Sequence, residues 1–168
     1  MARKANKPIV VGVDRSTAAR EALRWAIDEA LVRDCPVHAV VVWSVDLTRE
    51  PPWHPVEKIR ARHARELDAT IAEATRGRDR LPRIVPMVVE GAPAAGLIEV
   101  SRGAAMLVVA RRAGQWVRRA LMGSVSSACV KHAEVPVVVV PPAMETPESA
   151  DEWLVDENIS SAGPPRNS

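Results

Sequence analysis

The chain has 168 residues, 47% of them hydrophobic and only 3% aromatic, with neither Tyr nor Phe. That length suits one domain with ample apolar material for a core, and no apolar run reaches the ~20 residues of a membrane span. The net charge of +2 conceals a split, because residues 1–142 carry +7 and residues 143–168 carry −5. A basic body favours anionic ligands or nucleic acid, while the shortage of aromatic rings argues against a stacking platform for single strands.

In chain order, the polar start "MARKANKP" runs straight into the first apolar stretch, "PIVVGVD" (8–14). No secretory apolar region stands there, which predicts a cytoplasmic protein. Ser16 is a candidate N-cap for a helix in which Ala19, Leu23, Ala26, Ile27, Ala30 and Leu31 share one stripe, with Arg24 and Asp28 expected to pair outside it. A second strand, "VHAVVVW" (37–43), precedes a helix over 57–75 with Ile59, His63, Leu67, Ile71 and Ala74 facing inward. The acids Glu57, Glu66, Asp68 and Glu73 of that helix read as a solvated face. "IVPMVV" (84–89), a short helix at 93–102, "AMLVVA" (105–110), a helix at 124–133 and "VPVVVV" (135–140) complete the pattern.

Strands that are short, Val-rich and nearly free of polar residues are covered on both faces, as in a parallel sheet between helical layers. The order βαβαβαβαβ therefore predicts a doubly wound α/β domain with helices on both faces. Pro86 and Pro136 cannot donate to a strand ladder, so they mark the third and fifth strands as edges. Right-handed crossovers then give a five-stranded parallel sheet of order 3-2-1-4-5, with its ligand crevice beyond the carboxyl ends of strands 1 and 4. The domain spans 1–142. Residues 143–168, acidic and rich in Ser, Pro and Asn, are expected to be a disordered tail.

Three segments converge on that crevice. Gly12-Val13-Asp14 ends the first strand, Ala110-Arg111-Arg112-Ala113 ends the fourth, and Gly123-Ser124-Val125-Ser126 starts the last helix, where free N–H groups and the helix dipole favour an anion. Cys35 and Cys129 lie in apolar surroundings and read as reduced core residues. His38, His54, His63 and His132 lack metal-ligand spacing, and His63 and His132 fall on helix stripes, so no metal site is expected. No GxSxG, Walker loop or GxGxxG is present.

On these segments the chain resembles the universal stress protein family. "IVVGVDRSTAAREALRWAIDEA" is similar to the family's opening strand and helix, "GSVSSACVKHAEVPVVVV" to its closing helix and strand, and the resemblance extends over about residues 6–141. It implies a non-enzymatic stress-response protein, a homodimer formed through the last strand (Val135 to Pro141), and an adenine nucleotide, ATP, in the crevice, with no metal beyond nucleotide-bound Mg. Members that bind ATP carry G-x2-G-x9-G-[ST] after strand 4. Here Ala110 and Ala113 occupy the first two glycine positions and Gly123-Ser124 the last. Each Ala adds a methyl where the backbone approaches phosphates, so weak or absent ATP binding is expected. Arg111, Arg112, Arg118 and Arg119 either supply charge to the phosphates or form a solvated basic loop. Asp14 resembles the family acid near the ribose, or is a carboxylate favouring the next helix N-terminus; Ser124 and Ser126 resemble phosphate contacts, or Ser124 is an N-cap; Val41 resembles the strand position whose backbone meets adenine. The alternatives are an ATP-binding regulatory switch with slow or no hydrolysis and, from another class, a nucleic-acid-binding module. The acidic tail is expected to compete with anionic ligands for the basic crevice.

Overall fold

The structure, a computed structural model, describes residues 6–44, 55–111 and 123–142. Its elements are β1 (Ile9–Gly12), α1 (Thr17–Arg33), β2 (Val37–Trp43), α2 (Val56–Thr75), β3 (Ile84–Glu90), α3 (Pro93–Ser101), β4 (Met106–Ala110), α4 (Ser124–His132) and β5 (Val137–Val140). They form one all-parallel sheet of order β3-β2-β1-β4-β5. The expected topology is therefore the observed one, and the proline argument holds: Pro86 is exposed on edge strand β3 opposite Ala39, and Pro136 immediately precedes edge strand β5.

Strand alternation divides the core into two layers. Ile9, Val11, Val37, Ala39 and Val108 turn towards α1 and α2, whereas Val10, Val40, Leu107 and Val109 turn towards α3 and α4. Both faces are covered, as the unbroken apolar strands require. On α1 the inward residues are mainly Ala18, Ala19, Ala22, Ala26 and Ala30, small enough for close approach to the sheet, with Leu23 and Ile27 filling the space between. Full burial of each larger side chain stabilises the fold by about 1.5–3 kcal/mol. Ser16 caps α1 as expected, its Oγ accepting from the Ala19 N–H at 3.1 Å. At the other end Asp34 turns left-handed (φ 51°) and its N–H closes on the Ala30 carbonyl.

The surface charges differ from the sequence expectation. Arg24 pairs with Glu21 at 2.7 Å rather than with Asp28, because Asp28 is taken by Arg78 from the turn after α2. Glu73 and Glu66 are not simply solvated: Glu73 bonds Arg20 of α1, which holds its carboxyl below the usual range, and Glu66 faces Arg15 and His63. These pairs tie α2 to α1 across the outside of the layer. Among the described residues no helix is long and apolar enough to cross a membrane.

Candidate functional site

The chain leaves β1 towards α1 on one face and leaves β4 towards α4 on the other, although β1 and β4 are neighbours. Their following segments must diverge, and the gap between them is the crevice that such a switch point provides. It encloses about 200 Å³. Gly12, Val13 and Asp14 form one wall, Ala110 and the first turn of α4 the other, and Val42, Pro93 and Leu97 close the α3 side.

The α4 wall is built to present backbone. Gly123 is the N-cap (φ −68°, ψ 165°) and has no side chain to bond the first-turn N–H groups. Ser124 is accordingly the first residue inside the helix, not its cap. The first intrahelical bond, Ser127 N–H to the Gly123 carbonyl, is 2.9 Å long. The N–H groups of Ser124, Val125 and Ser126 therefore precede any intrahelical acceptor, and the dipole adds roughly half a positive charge at that end. The buried Ser126 donates its Oγ proton to the Gly123 carbonyl at 3.0 Å, fixing the cap in place. The Gly123 torsions are open to any residue, and among the described residues an added Cβ would meet nothing closer than Ser126 Oγ at 3.8 Å. Neither the conformation nor the packing of the described residues demands glycine at this position.

On the facing wall the half-buried Asp14 accepts the Ser16 N–H through Oδ1 at 2.8 Å. Its carboxylate thus braces the start of α1 while bordering the crevice, so the two readings of this residue are compatible. Ala110 ends β4 opposite Val140. Among the described residues only Asp34 combines a side chain with positive φ, so Ala110 needs no glycine torsions; it borders the crevice and packs against the α1-side core. Arg111 lies one residue on, half-buried, its N–H bonded to the Val140 carbonyl at 2.8 Å, and does not line the crevice. Arg112, Ala113, Arg118 and Arg119 lie outside the described residues, as do His54 and the acidic segment 143–168.

Val41 sits elsewhere. Val40 and Val42 line the crevice, but Val41 points to the other face and borders a second compartment of about 130 Å³ on the α2 side. Arg15, His63, Glu66, Leu67 and Thr70 complete that compartment, and Val13, Asp14 and Val42 are common to both. The His63 ring stacks on Trp43 with centroids 5.7 Å apart. His132, by contrast, is exposed at the end of α4, off the stripe expected for it. No group of three or more His, Cys, Asp or Glu placed to hold a metal occurs among the described residues.

Sequence reasoning missed Leu97, Pro93 and the α2-side compartment. The only local signal for the last is the His63–Glu66 spacing of one helical turn.

The family model for the universal stress protein family matches residues 5–141. Universal stress protein Rv2623 of Mycobacterium tuberculosis is 33% identical over 139 residues, covering 79% of this chain and 46% of that protein. The chain thus spans about half the length of the curated relatives it matches. Two solved structures share the fold: a universal stress protein in complex with cAMP (22% identity, TM-score 0.55, 83% of this chain and 100% of that one) and the universal stress protein from Archaeoglobus fulgidus in complex with dAMP (24% identity, TM-score 0.54, 80% and 97%). With the topology, the crevice and the family match in agreement, this chain belongs to the universal stress protein family.

Proposed function

We propose that this chain is a non-enzymatic, cytoplasmic stress-response protein that binds an adenine nucleotide weakly in the crevice between β1 and β4 and acts as a homodimer through Val135 to Pro141. The observation that carries the reading is Gly123. A glycine whose torsions and described neighbours would accept a side chain, at the mouth of a nine-residue helix that opens into a crevice, has a role if a ligand approaches its backbone. An anion meets both the free N–H groups and the dipole there.

On this reading the phosphates lie against Gly123, Ser124, Val125 and Ser126, the ribose lies near Gly12, Val13 and Asp14, and the base reaches the end of β2 at Val41. Any Mg arrives with the phosphates. Ala110 and Ala113 narrow the phosphate end, and Arg111 and Arg112 add positive charge beside it. The cAMP and dAMP carried by the two structural relatives support an adenine ligand. The described lining of the crevice, which is backbone amide, apolar side chains, the Ser124 and Ser126 hydroxyls and the Asp14 carboxylate that accepts from Ser16, supports a binding role. Residues 143–168 form an acidic tail beyond the domain. Calorimetric titration of nucleotide-free protein with ATP, with and without Mg, tests the reading. Weak saturable binding is expected; no binding, even after both alanines are changed to glycine, overturns it.

A further inference from the structure

Ile59, Leu67 and Ala74 are the buried residues of α2. At 3.6 residues per turn the outer side of the helix carries Lys58, Arg62, Arg65, Ala69, Ala72 and Arg76, all of them exposed. Four cations and two alanines thus make a stripe about 27 Å long with no acid on it. The exposed acids Glu57 and Asp68 fall together about a quarter of a turn round on one flank. Glu66 and Glu73 lie on the other, where they meet Arg15, His63 and Arg20. Lys58, Arg65 and Arg76 form no ion pair among the described residues. We infer that this stripe is a docking surface for the sugar-phosphate backbone of double-stranded DNA, independent of the crevice.

Lys58 and Arg62 stand four residues apart and Arg62 and Arg65 three apart, the spacings at which like charges on a helix repel each other. An extended polyanion relieves that repulsion along the whole stripe. Duplex DNA carries one charge per ~1.7 Å of its axis, dense enough to meet every cation, and the methyls of Ala69 and Ala72 let its backbone come close. Because α2 is tied to α1 by the Arg20 and Arg15 pairs and covers β2 and β3, only the outer stripe is presented. The helix therefore lies along phosphates and does not enter a groove, which makes the contact independent of base sequence. The side chains on the stripe also separate DNA from other polyanions. They include no aromatic ring on which single-strand bases could stack, no hydroxyl or amide to meet the 2′-OH of an RNA duplex, and no bulky apolar group to enter a lipid surface.

Fluorescence anisotropy of a labelled, mixed-sequence DNA duplex titrated with the full chain tests the inference. Affinity of roughly micromolar order is expected at about 50 mM salt, falling about a hundredfold by about 200 mM, because four neutralised phosphates give log K a slope of about −3.6 against log salt. Two duplexes of unrelated sequence should bind within about twofold of each other. Lys58→Gln, Arg65→Gln and Arg76→Gln made together leave one cation on the stripe and should reduce the slope to about −0.9. All three positions are exposed and outside the crevice, so the circular dichroism spectrum and the ATP titration of that variant should match the parent. Arg65→Lys, which keeps the charge, should keep the slope. No binding at about 50 mM salt, a slope that the triple change leaves unmoved, or binding to phosphatidylserine vesicles as tight as to DNA overturns the inference.

Discussion

Gly12 at the end of β1 and Leu97 in the middle of α3 touch so closely that a Cβ on the glycine would stand 2.8 Å from Leu97 Cδ1. Leu97 is only 6% exposed, and with its Cδ2 at 3.2 Å and Cγ at 3.6 Å from that Cβ the whole branch has to shift, with the crevice it lines as the open side. Gly12→Ala is therefore expected to cost about 1–3 kcal/mol of stability by overpacking and to weaken ligand binding, because the displaced Leu97 moves the crevice wall. A double-mutant cycle with Leu97→Val, followed by urea denaturation, checks the mechanism. Additive losses would show that the two side chains do not collide.

Gly123 makes the opposite case. Among the described residues its Cβ position is open, and its torsions are ordinary, so Gly123→Ala should change stability by no more than about 0.5–1 kcal/mol, in the range of a lost cap. Its effect on ATP should be much larger, a roughly tenfold or greater loss, as the methyl occupies the approach to the first-turn N–H groups. Melting temperature and calorimetry on one preparation separate the two quantities. A variant that binds as well as the parent would leave the glycine without a ligand-related role.

If the phosphates lie in the crevice as proposed, Ala110→Gly with Ala113→Gly should strengthen ATP binding tenfold to hundredfold, on the basis of roughly 1 kcal/mol for each methyl removed. Since Ala110 lies in β4 with ordinary torsions, its share of the gain comes from space and not from backbone freedom. Glycine in a strand also weakens it, so a modest fall in melting temperature should accompany the gain. An unchanged ATP affinity would show that the methyls are not what limits binding.

The features legible in the sequence are those set by neighbours along the chain. Apolar runs gave the strands, Ser16 gave the start of α1, and Pro86 and Pro136 gave the edges, because ladder donation and capping are local chemistry. Gly12, Asp14 and the Gly123 turn could be located for the same reason: the switch point follows from strand order. What escaped were approaches between distant residues. Arg20 meets Glu73 and Arg78 meets Asp28 across 53 and 50 residues, and helical spacing assigned Asp28 to the wrong arginine. Leu97 faces Gly12 only after β3 and α3 have folded back over the sheet. The compartment beside Val41 exists because α2 packs over the end of β2, which no periodicity within either element reveals.

Burial, and then the neighbouring Arg83, push the His38 imidazole below its ordinary value of 6.5. The folded chain therefore resists a proton that the unfolded chain accepts. Well above pH 6.5 both states are neutral and the residue contributes no pH dependence; as pH falls through 6.5 stability is lost, and the loss levels off once the lower folded value is passed. His38→Gln should lose less melting temperature than the parent between about pH 7.5 and about pH 5. Parallel thermal scans decide it, and identical drops in the two proteins would remove His38 as a source of acid sensitivity.

The β5 edge carries the last prediction. Val138 packs towards the α1 side and Val137 and Val139 towards α3 and α4, so a charged side chain anywhere on β5 would test folding as much as assembly. The backbone offers a cleaner probe. The Pro136 and Val140 carbonyls accept from Leu107 and Arg111, so the even-numbered residues of β5 face β4, and by strand alternation the N–H and carbonyl groups of Val137 and Val139 face away from it. An apolar edge of that kind must be covered or it invites association, and antiparallel pairing of two copies about a two-fold axis covers it symmetrically. The chain is expected to sediment as a dimer at tens of micromolar, a concentration suited to an interface of modest affinity. Val139→Pro deletes one outward N–H and leaves the β4 ladder intact, and proline is tolerated on an edge strand. It should yield folded monomer, with a far-ultraviolet circular dichroism spectrum like that of the parent and about half the sedimenting mass. A parent chain that sediments as monomer, or a proline variant that remains dimeric, places the association surface away from β5.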